Sequence, residues 1–410
     1  MRKILAIFVA ALLLGSFFIL PAGAEEEPLV DFIVDVEGGR SPRILQLADT
    51  QIIDPTQHRN DPDADNDPEK RLEDMEQRCF KYVRQVINNT QPDLILLTGD
   101  IVYGQFDDSG EALKELVKFL DGFGIPWAPV YGNHDNESNI GVLWQNEQFE
   151  NAQHCLFKAG EVTGNGNYTV GIRQNGKLTR VFFMMDSNGC DQPGKNSVLY
   201  VMPGGRGLME DQVEWFVEKG NAIKAAHPDV NFTFVFHIPF KMFGQAMATV
   251  TAKDMGLTAS GDESFGTLYD SGSGSDWDRD YAIYEKMKAL GTDSILVGHI
   301  HWDSASVVYD GIRFQYGQKS STYDEICYRL EDGTITTSYD PKTGEPIVGG
   351  TLMMMDEQTG DFTDFAITLY DHTLEPEETK ENPLAKWLPI LCAVLPALMA
   401  AFVVFRNKRG

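Results

Sequence analysis

Positive charge is scarce in this 410-residue chain, where 34 Lys and Arg face 61 Asp and Glu for a formal net charge of −27. A surface this acidic repels nucleic acid and anionic lipid, so no nucleic-acid partner is expected. Any anionic substrate must be drawn in by something local, such as bound cations. Cysteine is also scarce, at five residues. Cys79, Cys155, Cys190 and Cys327 lie outside the terminal apolar runs; export would permit bridges, but a chain this long does not need them. There is no P-loop and no Gly-x-Ser-x-Gly elbow, which removes two large classes of phosphate-binding and serine-nucleophile enzymes. No internal repeat is present, which argues against solenoids and propellers.

Long apolar runs occur only at the ends. Residues 1–24 begin with Arg2 and Lys3, run apolar from Ile4 to Leu20 and close on Ala22-Gly23-Ala24. That order predicts a secretory signal peptide cut after Ala24; an uncleaved anchor helix is the rival. Leu388 to Phe405 carries no charge and is followed at once by Arg406-Asn407-Lys408-Arg409. This predicts a transmembrane helix over 388–405 with a cytoplasmic basic tail over 406–410. A sortase signal fits less well, because no Leu-Pro-x-Thr-Gly precedes the run. Residues 373–387 are acidic and proline-bearing, and read as a stalk. The expectation is an exported, single-pass cell-surface protein whose main domain, residues 25–372, faces outward.

Within that domain, apolar runs alternate with helical periods from Arg43 to about His301. Ile44–Ala48, Leu94–Leu97, Trp127–Tyr131, Val181–Met185, Phe232–Phe236 and Ile295–Val297 read as strands. Leu72, Met75, Cys79, Val83 and Val86 form a helical stripe, Leu113 to Leu120 a short helix, and further helices are expected near 142–158, 210–226 and 280–290. The alternation predicts a layered α/β domain with strands buried on both faces. After residue 304 the runs shorten, with Asp310-Gly311 and Asp332-Gly333 as turns, and predict mainly antiparallel sheet.

The informative polar residues stand where the strand-like runs end. They are Asp49 in Ala48-Asp49-Thr50-Gln51, Asp100 after Gly99, and Asn133-His134-Asp135 after Gly132. His237 follows Phe236, and His299 and His301 stand in Gly298-His299-Ile300-His301. Each fragment alone is commonplace: a Gly-Asp after a strand is usually only a turn. In open α/β sheets, however, sites form beyond the carboxyl ends of strands. Five strand ends presenting Asp, Asp, Asn-His, His and His-x-His make an oxygen-and-nitrogen donor set suited to zinc, manganese or iron.

In that order the motifs resemble the calcineurin-like metallophosphoesterases over about residues 40–320. The resemblance implies a two-sheet sandwich flanked by helices, with a site for two metal ions at one edge. It implies that Asp49, Asp100 and His301 hold the first metal, and that Asp100 bridges to a second held by Asn133, His237 and His299. Where the family usually carries a His ligand, this chain has Gln51, which would ligate through its amide oxygen or hydrogen-bond to bound water. The purple-acid-phosphatase branch lacks that His and uses Gly-Asp-x-x-Tyr, and this chain reads Gly99-Asp100-Ile101-Val102-Tyr103. Tyr103 is therefore either an iron ligand or a wall aromatic. The stretch Gly311 to Gly317 is also similar to that branch.

The implied activity is hydrolysis of phosphate esters, monoesters preferred, by hydroxide bridging two cations that also clamp the phosphoryl oxygens. Asn133 and His134 would contact the substrate, His134 protonating the leaving group or stabilising the phosphoryl, with Asp135 orienting its ring. A diesterase or nucleotidase on the same site, and a surface binding protein with a structural metal centre, are the alternatives. Two weaker features remain. Residues 58–69 alternate acidic side chains without the glycine of a calcium loop. Residues 241–280 are rich in Gly and Ser and are expected to cover the site, with Gly261-Asp262-Glu263 and Trp277 as candidate contacts.

Overall fold

The computed structural model describes residues 28–54, 68–188, 207–250, 255–268, 277–321, 327–329, 335–337 and 347–374. The leader, the stalk beyond residue 374, the apolar run 388–405 with its basic tail, and most of the acidic loop 58–69 lie outside them. Among the described residues no helix is long and apolar enough to cross a membrane. Cys79 is buried, with its thiol directed at the Thr50 and Ser320 carbonyls, and Cys155 is half-buried.

The strands are β1 (Phe32–Val36), β2 (Arg43–Leu47), β3 (Leu94–Leu97), β4 (Trp127–Pro129), β5 (Tyr168–Gln174), β6 (Lys177–Met184), β7 (Asn231–Val235), β8 (Thr258–Ser260), β9 (Thr292–Val297), β10 (Ser306–Tyr309), β11 (Ile312–Tyr316), β12 (Cys327–Arg329), β13 (Ile335–Thr337), β14 (Gly349–Met355) and β15 (Phe362–Leu369). They form a seven-stranded sheet in the order β1-β5-β6-β7-β9-β11-β10 and a six-stranded sheet in the order β4-β3-β2-β14-β15-β8, with β12 and β13 as a separate pair. The α/β two-sheet expectation holds. So does antiparallel pairing late in the chain, at β10–β11 and β14–β15, although β11 also runs parallel to β9.

Burial on both faces explains the unbroken apolar runs. In β6, Phe182 and Met184 belong to the core shared with β2, β3 and the helices Pro68–Thr90 and Glu111–Asp121. Val181 and Phe183, one residue out of phase, pack in the second core with Phe216 and Ile223 of the helix Glu210–Ala226. The two-residue period of a strand thus feeds two cores at once, and each fully buried Phe contributes ~1.5–3 kcal/mol.

What positions the site is the shared end of the parallel strands. Leu47 of β2 is level with Leu97 of β3, and Leu97 with Pro129 of β4. In the other sheet Val235 of β7 is level with Leu296 of β9, and Val297 with Tyr316 of β11. The sheets meet at this edge, where Ala48 just past β2 makes a parallel bridge to Lys319 just past β11. Between the sheets Gln315 donates to Gln46 at 2.8 Å, and Gln46 donates to the Val297 carbonyl at 3.0 Å.

Several elements differ from the expectation. The helix expected over 142–158 spans Val142–Asn151. Strands β1, β5, β8 and β13 were not anticipated. In the segment 241–280, expected to cover the site, Met242–Met247 is a helix whose Phe243 and Ala246 are fully buried in the core. Gly261-Asp262-Glu263 turns after β8, at the outer edge of the six-stranded sheet and three strands from β2, where the Gly261 and Glu263 carbonyls accept hydrogen bonds from Arg313. Trp277 opens the helix Trp277–Ala289.

Candidate metal centre

Asp49, Asp100 and Asn133 follow β2, β3 and β4 of one sheet, and His237, His299 and His301 follow β7 and β9 of the other. The fold brings them together. One donor atom each from Asp49, Asp100 and His301 lie within 4.8 Å of one another, as do those of Asp100, His237 and His299. Asp100 belongs to both groups. Asn133 joins the second, its Oδ1 lying 3.2 Å from His237 Nε2.

Local backbone makes these approaches available. Asp49, Gln51 and Asp100 adopt left-handed backbone (φ 51°, 43° and 47°), as does His299 (φ 75°). Such residues cost roughly 1–3 kcal/mol each where nothing compensates, and they cluster at functional sites. Here the turns brace one another: Gln51 N–H donates to the Asp100 carbonyl at 2.9 Å, and the Thr50 hydroxyl donates to the Ile101 carbonyl at 2.8 Å. Two motif glycines are needed for space. A Cβ on Gly99 (φ 88°) would sit 2.5 Å from His237 Nδ1, and one on Gly132 would sit 2.3 Å from the Asp100 backbone nitrogen.

The donors suit a pair of cations. His237 Nδ1 lies 2.8 Å from the Thr98 carbonyl; donating there fixes the tautomer and leaves Nε2 as the free lone pair. That Nε2 is 3.2 Å from Asp100 Oδ2 and 3.3 Å from His299 Nδ1. With His237 in that neutral tautomer, buried Asp100 Oδ2 faces a lone pair rather than a donor, an expensive state for a carboxylate oxygen unless a cation takes it up. His301 Nε2 lies 3.5 Å from Asp49 Oδ1.

Charges in the cluster perturb one another. Burial pushes the Asp49 carboxyl up to about 6, against the pull of His237 and Lys319. Burial would also raise Asp100, but the His237 imidazole beside it prevails and holds this carboxyl far below the usual range. Burial acts against the charged His237 ring, yet Asp100 raises it to about 9. His301 is held well below the ordinary imidazole value by burial and then by the Lys319 charge, so its ring is neutral at neutral pH.

The outer residues depart from expectation in two ways. Asp135 does not orient His134. Its buried carboxylate turns inward and accepts backbone N–H groups of Ile101 (2.8 Å), Val102 (2.9 Å) and Gly132 (2.7 Å), tying the loops after β3 and β4 together. The ring of His134 is instead held by Glu137, whose Oε2 is 2.9 Å from Nδ1, while Nε2 points to the centre, 4.0 Å from Asp100 Oδ2. Burial acts to lower the His134 pKa, but the Glu137 hydrogen bond and the Asp100 charge outweigh it and raise it. Second, Gln51 does not present its oxygen to the centre: Oε1 accepts from Lys319 Nζ at 2.5 Å, and buried Nε2 has no partner. Tyr103 stacks its ring on His134, with centroids 4.0 Å apart and planes at 28°.

Lys319 and Glu137 are the residues sequence reasoning missed. Lys319 carried one available signal: it follows β11, a sixth apolar run ending at the same edge. Nothing in the sequence distinguished Glu137 from Asp135.

A family model for the calcineurin-like phosphoesterases matches residues 42–303, and the chain belongs to that family. Its relatives support the purple-acid-phosphatase-like branch. A probable inactive purple acid phosphatase of Arabidopsis thaliana is 26% identical over 279 residues, covering 61% of this chain and 65% of that one. An uncharacterized Schizosaccharomyces pombe protein is 27% identical over 218 residues, and the match spans 52% of this chain but only 40% of the relative. Among solved structures, a dimetal phosphatase from Danio rerio aligns at 13% identity over 81% of this chain and 100% of its own, with a TM-score of 0.43.

Proposed function

We propose that this chain is an exported phosphoester hydrolase, tethered to the cell surface by its C-terminal apolar run and preferring phosphomonoesters. The observation that carries the catalytic reading is the pair of donor groups sharing Asp100 at one edge of two sheets. Asp49, Asp100 and His301 would hold one cation, and Asp100, Asn133, His237 and His299 the other. When bound, such a pair supplies Lewis-acid polarisation of the phosphoryl oxygens and a water activated at neutral pH.

The chain's own residues do the rest. Asp100 belongs to both donor groups, so its carboxylate would serve both cations. His134 presents Nε2–H to the phosphoryl group and, as the ester bond breaks, gives that proton to the departing oxygen. Glu137 keeps the second ring nitrogen hydrogen-bonded, which favours the protonated imidazole needed for that transfer. Stacking on Tyr103 fixes the plane of the ring. This gives Tyr103 a positioning role that needs no metal bond, and a colourless manganese or zinc protein fits it; a violet tyrosinate band from the purified protein would instead make Tyr103 an iron ligand.

The test is metal content measured with turnover of p-nitrophenyl phosphate and bis(p-nitrophenyl) phosphate. The expected result is metal-dependent turnover, faster on the monoester. Faster diester turnover would shift the reading to a diesterase. The names of the plant relatives favour a second reading, a metal-holding surface protein without catalysis. Full cation occupancy with neither ester turned over would support it.

A further inference from the structure

Among the described residues, Lys319 brings a positive side chain to the edge of the cluster. Its side chain is buried at 1% exposure, with Nζ 2.5 Å from Gln51 Oε1 and 3.2 Å from the Asp49 carbonyl. Backbone holds it there: Ala48 and Lys319 form a bridge, Ser320 N–H donates to the Ala48 carbonyl at 2.9 Å, and Gly349 N–H donates to the Lys319 carbonyl at 3.0 Å. These bonds fix the Lys319 backbone at the seam of the two sheets, and the Gln51 oxygen and the Asp49 carbonyl hold its ammonium. It stands on the side of Asp49 and His301, and its charge reaches both.

The two donor groups are therefore unequal. The group of Asp100, Asn133, His237 and His299 has four donors. The group of Asp49, Asp100 and His301 has three, and Gln51 adds none, because its oxygen is committed to Lys319 and its remaining polar atom is an N–H donor. This second group also faces a fixed positive charge, which repels a cation strongly where water is excluded.

We propose that Lys319, anchored by Gln51, makes the Asp49–Asp100–His301 group a weak cation site that fills only after the Asp100–Asn133–His237–His299 group. The inference rests on the metal-centre reading above and adds a regulatory consequence: the dinuclear state depends on ambient divalent cation. One cation remains bound at low concentration, and the second comes and goes.

The test titrates the full chain with Mn2+ and counts bound ions by equilibrium dialysis, with electron paramagnetic resonance to separate single from exchange-coupled manganese. Two steps are expected, roughly tenfold or more apart, with coupling appearing only at the second. Lys319→Met should tighten the second step by roughly 10- to 100-fold and leave the first unchanged. Lys319→Gln, which keeps a hydrogen-bond partner for Gln51 but removes the charge, should act in the same direction and guards against a misfolded Lys319→Met. His299→Ala should weaken the first step. Two equal steps in the parent chain, or a second step unmoved in both folded variants, overturn the proposal while leaving the metal centre intact. Failure to bind manganese, zinc or iron at all overturns the metal centre itself.

Discussion

The two sheets bring unlike chemistry to the same edge. The turns after β2, β3 and β4 contribute carboxylates and an amide on backbone held left-handed at Asp49, Gln51 and Asp100. Those after β7, β9 and β11 contribute three imidazoles and an ammonium. Neither sheet alone has a complete donor set for even one cation, since each group needs Asp100 from one side and a histidine from the other. The centre is thus a clasp between sheets, and the bracing on each side differs. Asp135 ties the carboxylate side with three backbone hydrogen bonds, whereas on the other side the His237 ring is fixed through Nδ1 by the Thr98 carbonyl.

Removing the shared ligand breaks the clasp most completely. Asp100→Ala should lose both cations and reduce turnover to background, as read by metal analysis beside a phosphatase assay. His134→Ala separates chemistry from binding: it should keep both cations and lose roughly 100- to 10,000-fold in turnover. Equal metal loss from the two variants would erase that division.

Proton competition sharpens the comparison from the histidine side. The His237 ring, raised to about 9 in the metal-free cluster, carries a proton at pH 7.5 that metal must displace. Affinity at its group should therefore rise about tenfold per pH unit up to about 9 and then level. Calorimetry in buffers of different ionisation enthalpy should detect the released proton; pH-independent affinity would contradict it.

The smallest effects distinguish two neighbouring carboxylates. Glu137→Gln should cost ~10–100-fold in turnover with stability unchanged. Asp135→Asn should lose about 1–3 kcal/mol of stability, because an amide cannot satisfy three N–H groups with one oxygen. A thermal melt and an activity assay on both variants check this; reversed phenotypes would restore Asp135 as the residue that orients His134.

The ligand residues were legible because each follows a strand buried on both faces, so an apolar run points directly at it. Strand β5 lacked that signal: Gly171 interrupts it, and its buried polar residues Thr169 and Gln174 donate to Asp31 and to the Glu37 and Arg40 carbonyls. The Gln46–Gln315 link was hidden for the same reason, since burial of a paired amide leaves no hydrophobic trace. Side-chain direction was hidden as well. Asp135 and Glu137 stand two apart in a single turn of 3-10 helix, and only the fold turns one inward and the other onto His134. Gln51 looked like a weakened ligand until its oxygen was found committed to a lysine 268 residues away.

Anomalous diffraction from manganese-loaded crystals tests the central claim most directly. Two peaks about 3.5–4 Å apart between the strand ends, with Asp100 touching both and the weaker peak beside Asp49 and His301, are the expected result. No peak at this edge, or one that Asp100 does not touch, would contradict it.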